Sequence, residues 1–200
     1  MNPFAAPHAR CETTSSNMYV GHFAAGLAIK AHEPRAPTWA LLVGAGLLDL
    51  LFGPLVLAGI ERATLTPDVS PGFSLDYIDW SHSLLMSVVW SVLFAAALAR
   101  YGPRVMIAVG LAVFSHFLLD VPMHPPDLAL WPNSDAHVGF GLWRALPTGW
   151  WFVELAVILA LWLYYWRRST IDERFGRRPF AVAGVLVSLH LFNSPWLARF

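Results

Sequence analysis

A chain of 200 residues that is 56% hydrophobic and 13% charged, about half the roughly 25% charge of soluble domains, has more apolar surface than a water-soluble domain of its size can bury. Thirteen Lys and Arg balance thirteen Asp and Glu, which excludes a basic surface for nucleic acid, and the one cysteine, Cys11, excludes an intrachain disulfide and a cysteine-built zinc site. The composition predicts an all-α, polytopic helical bundle whose main solvent is the lipid bilayer.

Residues 1–17 are polar, contain proline and lack the apolar run of a signal peptide, which predicts a disordered tail with Met18 as an alternative start. Residues 18–200 read as one membrane-embedded domain. Its first segment, 18–32, predicts a short amphipathic helix, too short to span. Five stretches then approach the ~20 apolar residues of a span: Thr38–Ile60, His82–Ala99, Val105–Val121, Gly149–Trp166 and Phe180–Ala198. Gly53-Pro54 predicts a kink or break in the first of them. With a cytoplasmic N-terminus, Arg10, Lys30, Arg35, Arg100, Arg104, Arg167, Arg168, Arg174, Arg177 and Arg178 fall inside, against Arg62, Arg144 and Arg199 outside. That bias predicts a multi-pass inner-membrane protein with the loops Glu61–Ser81 and Pro122–Thr148 facing out. The second loop, 27 residues rich in Pro, Gly and Trp, has the length of a functional loop.

The informative residues are ionisable groups at membrane depth, which cost several kcal/mol or more unless paired or wetted. These are Asp49, His116, Asp120, Glu154 and His190. His116 and Asp120 stand four apart, so a helix puts both on one face about 6 Å apart, a spacing suited to two ligands of one metal. Asp49 lies one turn before Gly53-Pro54, and His82 marks the entry of the second stretch. Two imidazoles and two carboxylates form a mixed nitrogen and oxygen set suited to Zn, Mn or Fe. His22 is a fifth candidate if the short N-terminal helix tucks into the bundle, which its inside flank opposes.

Each residue has a structural alternative. His190 reads first as an interhelical hydrogen bonder, and Glu154 equally as a packing or capping group and as a site residue. The His116/Asp120 pair reads alternatively as a structural hydrogen bond, and His82 as an interfacial residue. Asp79 reads as a helix cap or as the partner that orients His82. His8, His32 and Cys11 read as surface residues. The motifs G-x-S-x-G, H-E-x-x-H, Walker A and G-x-G-x-x-G are absent. The rival whole-chain readings are a transporter or ion-handling protein and a non-enzymatic membrane scaffold.

Gly21-His22, Leu-Leu-Asp49, Ser81-His82-Ser83-Leu84 and Ser115-His116-Phe-Leu-Leu-Asp120 occur in that order. From about Met18 to Glu154 the chain resembles the family of membrane-bound metal-dependent hydrolases of the LexA-binding, inner-membrane-associated type. That family is distantly similar to zinc-dependent phospholipase C and single-strand nucleases, all-helical enzymes with clustered metal ions. The resemblance implies His22, Asp49, His82, His116 and Asp120 as ligands, adds His124 as a further one, and matches Glu154 to the glutamate of a His-x-x-x-Glu motif. The sequence departs at Trp150, where that motif has histidine, and at Leu51, where many members carry a second aspartate. One or two divalent ions are therefore expected, zinc first and Mn or Fe as alternatives. The implied activity is hydrolysis of a phosphoester or lipid-like substrate at the outer face, with Asp79 or Glu154 orienting a ligand or acting as general base and Pro122–Thr148 as a lid or substrate wall.

Overall fold

The computed structural model describes residues 19–65, 73–146, 148–169, 178–192 and 194. The expected tail, Met18, the inner segment with Arg174 and Arg177, and the end of the fifth stretch lie outside the described residues. Helices α1 (Tyr19–His32), α2 (Thr38–Ala45) and α3 (Leu47–Leu57) lead into an antiparallel hairpin, β1 (Arg62–Leu65) with β2 (Phe73–Tyr77). One turn, α4 (Asp79–His82), precedes α5 (Leu84–Ala97), and a 3-10 turn over Ala99–Tyr101 precedes α6 (Pro103–Met123). A two-residue pairing, β3 (Leu128–Ala129) with β4 (His137–Val138), and the turn α7 (Leu142–Ala145) then lead to α8 (Gly149–Ser169) and α9 (Arg178–Phe192).

Local chemistry sets the breaks between these elements. Gly102, at φ 90°, ends the 3-10 turn, and Pro103 opens α6 where its missing N–H would have had no partner. Ser83 caps α5 by accepting from the Met86 N–H at 3.3 Å. The first expected span does break, but at Gly46, where α2 and α3 bend by 54°, while α3 runs on through Pro54. The reason lies across the bundle: the Ala45 carbonyl, at the end of α2, accepts from His116 Nδ1 at 2.7 Å. A helix-end carbonyl has no intrahelical donor of its own, and the imidazole supplies one there.

The helices pass back and forth between two ends. His22 of α1 meets Asp120 of α6 at one end, and His32 and Arg104 line a common cleft at the other, so α1 and α6 are antiparallel. Far from being peripheral, α1 is enclosed: Val20, Gly21, His22, Ala24, Ala25, Gly26, Leu27 and Ala28 are all buried. It packs against α8, α2 and α6. Gly26 permits the closeness, since a Cβ there would come within 3.0 Å of the Leu41 carbonyl oxygen. The expected placement of the α1 start on the side away from the second loop is therefore corrected: Tyr19 begins at the same end as both hairpins.

The described residues do not support five spans. Among the described residues α6 and α8 are long and apolar enough to cross a membrane, and the bent pair α2–α3 makes a third. The second and fifth stretches yield only α5 and α9, of 14 and 15 residues. At about 1.5 Å per residue these fall short of a ~30 Å hydrocarbon core.

The segment after α6 folds back on its end. Phe140 N–H donates to the Val121 carbonyl at 2.9 Å and Gly141 N–H to the His124 carbonyl at 2.7 Å. Gly139 makes this return possible: it sits at φ 148°, and a Cβ would lie 2.1 Å from the Pro125 carbonyl oxygen and 2.6 Å from that of His124. Gly139→Ala is thus expected to cost about 3 kcal/mol, lowering the unfolding midpoint in detergent by roughly 6–12 °C in a tryptophan-fluorescence melt. Gly53→Ala, in a helix with nothing within 4 Å of the added methyl, is expected to leave the midpoint unchanged or slightly raised.

Candidate metal centre

Five side chains from four elements converge at the end of the bundle where both hairpins lie. α6 contributes His116 and Asp120, α1 contributes His22, α3 contributes Asp49 and α4 contributes His82. His22 Nε2 stands 3.3 Å from Asp120 Oδ1, and His116 Nε2 stands 3.3 Å from Asp120 Oδ2. Asp49 Oδ1 lies 3.4 Å from His82 Nε2 and 3.8 Å from His116 Nε2. The His22 and His116 rings stack at 3.7 Å with planes 6° apart, and His82 approaches His116 edge-on at 5.3 Å. Two triads, His22/His116/Asp120 and Asp49/His82/His116, thus share His116, and each is able to hold a metal ion.

Two of the three imidazoles have their tautomer set by a neighbour. The Ala45 carbonyl can only accept, so His116 Nδ1 carries a hydrogen and its Nε2 points inward at two carboxylates. His82 Nδ1 lies 2.6 Å from Ser81 Oγ, and Ser81 Oγ lies 2.8 and 2.9 Å from the Glu61 carboxylate oxygens. The hydroxyl has one proton to give, and an ionised carboxylate only accepts. The order is therefore His82 Nδ1–H to Ser81 Oγ, and Ser81 Oγ–H to Glu61, leaving His82 Nε2 as a lone pair facing Asp49. The Ser81 N–H fixes Glu61 further, at 2.7 Å. Burial pushes the Glu61 carboxyl above its ordinary value, with the Ser81 hydrogen bonds pulling the other way. His22 lacks such a device, and its Nδ1 is buried without a hydrogen-bond partner.

The donor set fits a divalent cation. A tetrahedral shell with bonds of about 2.1 Å spaces its ligands about 3.4 Å apart, and the nitrogen–oxygen pairs of this cluster stand 3.3–3.8 Å apart. Imidazole and carboxylate suit Zn, Mn and Fe alike. His22, His82, His116 and Asp120 are buried, whereas the Asp49 side chain is 32% exposed, so the centre opens beside α3.

The other sequence candidates belong to neither triad. His124 is buried, but its Nδ1 engages Asp127 Oδ1 at 3.0 Å and its ring packs on Trp143 at 4.4 Å. Burial pulls the His124 imidazole down, but its hydrogen bond to Asp127 and the charges of Asp120 and Asp127 outweigh it, and the net shift is upward. Asp79 makes no hydrogen bond or ion pair with His82; its Oδ2 accepts from the Asn133 N–H at 2.8 Å, with Asn133 in the left-handed region at φ 62°. Glu154 is fully buried on the far side of α1, where Oε1 accepts from the Gly21 N–H at 3.3 Å and Oε2 lies 3.5 Å from His190 Nδ1. Glu61 is the participant that sequence reasoning missed. Its one signal is a carboxylate in the apolar run Ala58-Gly59-Ile60-Glu61, at the end of a stretch read as a span. Comparison with family models, with curated proteins and with solved structures finds no match for this chain.

Proposed function

We propose that this protein is a membrane-embedded, metal-dependent hydrolase acting on a phosphoester of lipid-like character. The observation that carries the reading is the convergence of three imidazole Nε2 atoms and two carboxylates at ligand-to-ligand spacing, with His116 and His82 held from behind by Ala45 and Ser81. His22, His82, His116, Asp49 and Asp120 would hold the cation. A divalent ion, zinc first, supplies Lewis acidity there, acidifying water and polarising a phosphoryl or acyl oxygen. Asp49, the one carboxylate of the centre that reaches solvent, is available to accept a proton from attacking water. The lipid-like substrate follows from where the centre opens: α3 is apolar apart from Asp49, and Leu50, next to Asp49, is 58% exposed. The reading agrees with the resemblance to membrane-bound metal-dependent hydrolases. Lys30, Arg35, Arg100, Arg104, Arg167 and Arg168 gather at the opposite end of the bundle, so the positive-inside rule favours a centre facing outward from an inner membrane.

The test is elemental analysis of protein purified in detergent, followed by assays on a chromogenic phosphodiester and on phospholipid vesicles with added Zn or Mn. Expected are about one equivalent of bound cation and turnover that a chelator abolishes and Asp120→Asn removes. Trace metal equal in wild type and variant overturns the metal site and favours a scaffold. Stoichiometric metal without turnover of either substrate class overturns the hydrolase.

A further inference from the structure

We propose that Glu154 is a positioning residue of the metal centre: its buried carboxylate caps the start of α1 and thereby sets where His22 meets Asp120 and His116. This rests on the metal reading above.

The first turn of α1 exposes N–H groups that have no acceptor within the helix, and their aligned dipoles favour an anion. Such a group is met from across the bundle, by a carboxylate 133 positions away in sequence: the Gly21 N–H donates to Glu154 Oε1 at 3.3 Å. Glu154 is fully buried, so its reach is set by the protein around it. On its other side stands His190, itself clamped to α8. His190 Nε2 lies 3.1 Å from the Trp151 carbonyl, the Trp151 indole N–H donates to the His190 carbonyl at 3.2 Å, and the two rings stack at 4.3 Å. A carbonyl only accepts, so His190 Nε2 carries a hydrogen and Nδ1 faces Glu154 Oε2 at 3.5 Å. The carboxylate thus lies between α9 and α1, with Oε2 and His190 Nδ1 both buried without a hydrogen-bond partner and Oε1 taken by the Gly21 N–H.

His22 follows Gly21 directly, and it is the ligand with least support of its own. His116 and His82 each have Nδ1 engaged, whereas His22 Nδ1 is buried and unpartnered. The backbone of α1 and the stack on His116 hold it. Ligand constellations tolerate about 0.5 Å of displacement, so a slip at the start of α1 would move His22 Nε2 out of the shell. The cap fixes that end of the helix.

The experiment is a double-variant cycle read by Co²⁺ affinity and by the visible absorption of the bound ion, which reports nitrogen ligation. Glu154→Leu is expected to weaken Co²⁺ binding by about 10–100-fold and to lose the spectral contribution that His22→Ala loses. Glu154→Gln keeps an acceptor for the Gly21 N–H and is expected to bind within about threefold of wild type, since the capping bond survives. The double variant Glu154→Leu/His22→Ala is expected to bind no more weakly than His22→Ala alone, because both act through one ligand. If the leucine variant fails to fold, Glu154→Asp, one methylene short of Gly21, takes its place in the cycle. Wild-type affinity in the Leu or Asp variant, full additivity with His22→Ala, or no rescue by Gln overturns the positioning role alone. A wild-type protein that binds no Co²⁺ overturns the metal reading and this inference with it.

Discussion

Replacing His116 with asparagine is expected to abolish cation binding while the bundle still folds. His116 is the one residue common to both triads, so its Nε2 cannot be lost without opening the Asp49/His82 group and the His22/Asp120 group together. Its other nitrogen has a structural task, donating to the Ala45 carbonyl where α2 ends. Asparagine carries an amide N–H close to the position of Nδ1 and nothing in place of Nε2, so it keeps the second contact and removes the first. Alanine would remove both and leave a buried carbonyl without a donor, at a cost of about 1–3 kcal/mol, mixing a stability effect into the metal readout. Outer-shell changes at metal sites cost about 10–100-fold, so deletion of the shared ligand is expected to exceed about 100-fold in a chelator competition. His82→Asn disrupts one triad and is expected to lose less. Size-exclusion behaviour and far-ultraviolet circular dichroism establish the fold of each variant. Wild-type stoichiometry in His116→Asn would remove the centre from consideration.

The site was legible in the sequence to the extent that its candidate ligands are ionisable groups within apolar stretches. Asp49, His116 and Asp120 interrupt apolar stretches, and the four-residue step from His116 to Asp120 already puts two donors on one face of α6. His82 stood out among flanking serines, but what holds it did not. Asp79, three residues away, is the nearer acid in the chain, and the structure uses it for the Asn133 N–H, while the carboxylate behind His82 is Glu61, 20 residues upstream of Ser81. Two hydrogen bonds that join distant segments decide such matters, and a one-dimensional reading weighs neighbours.

The fold departs from expectation for the same reason. Pro54 announces a helix break, yet α3 absorbs it, and the bend comes at Gly46, beside the carbonyl that His116 claims. α1 reads as a short amphipathic helix, too short to span, yet its small residues, Ala24, Ala25, Gly26 and Ala28, let it sit in the middle of the bundle, which is what brings His22 to α6. Apolar content alone cannot separate a helix packed inside a bundle from one facing lipid, and five apolar stretches therefore became two or three of spanning length.

The serine between Glu61 and His82 yields the second large effect. Ser81 is fully buried, and its hydroxyl is the atom through which the carboxylate holds His82 Nδ1. Removing it in Ser81→Ala leaves Nδ1 without its acceptor, and a neutral imidazole is then free to carry its hydrogen on Nε2, where it can no longer offer a lone pair. The expected loss of cation affinity is about 10–100-fold, the range for partners that orient a ligating histidine. It should arise wholly through His82, so Ser81→Ala/His82→Ala is expected to bind no more weakly than His82→Ala. Asp79→Asn is expected to leave the affinity unchanged, because its carboxylate serves the Asn133 turn and not the imidazole. A loss in Asp79→Asn with none in Ser81→Ala would return the orienting role to Asp79 and dissolve the Glu61–Ser81–His82 relay.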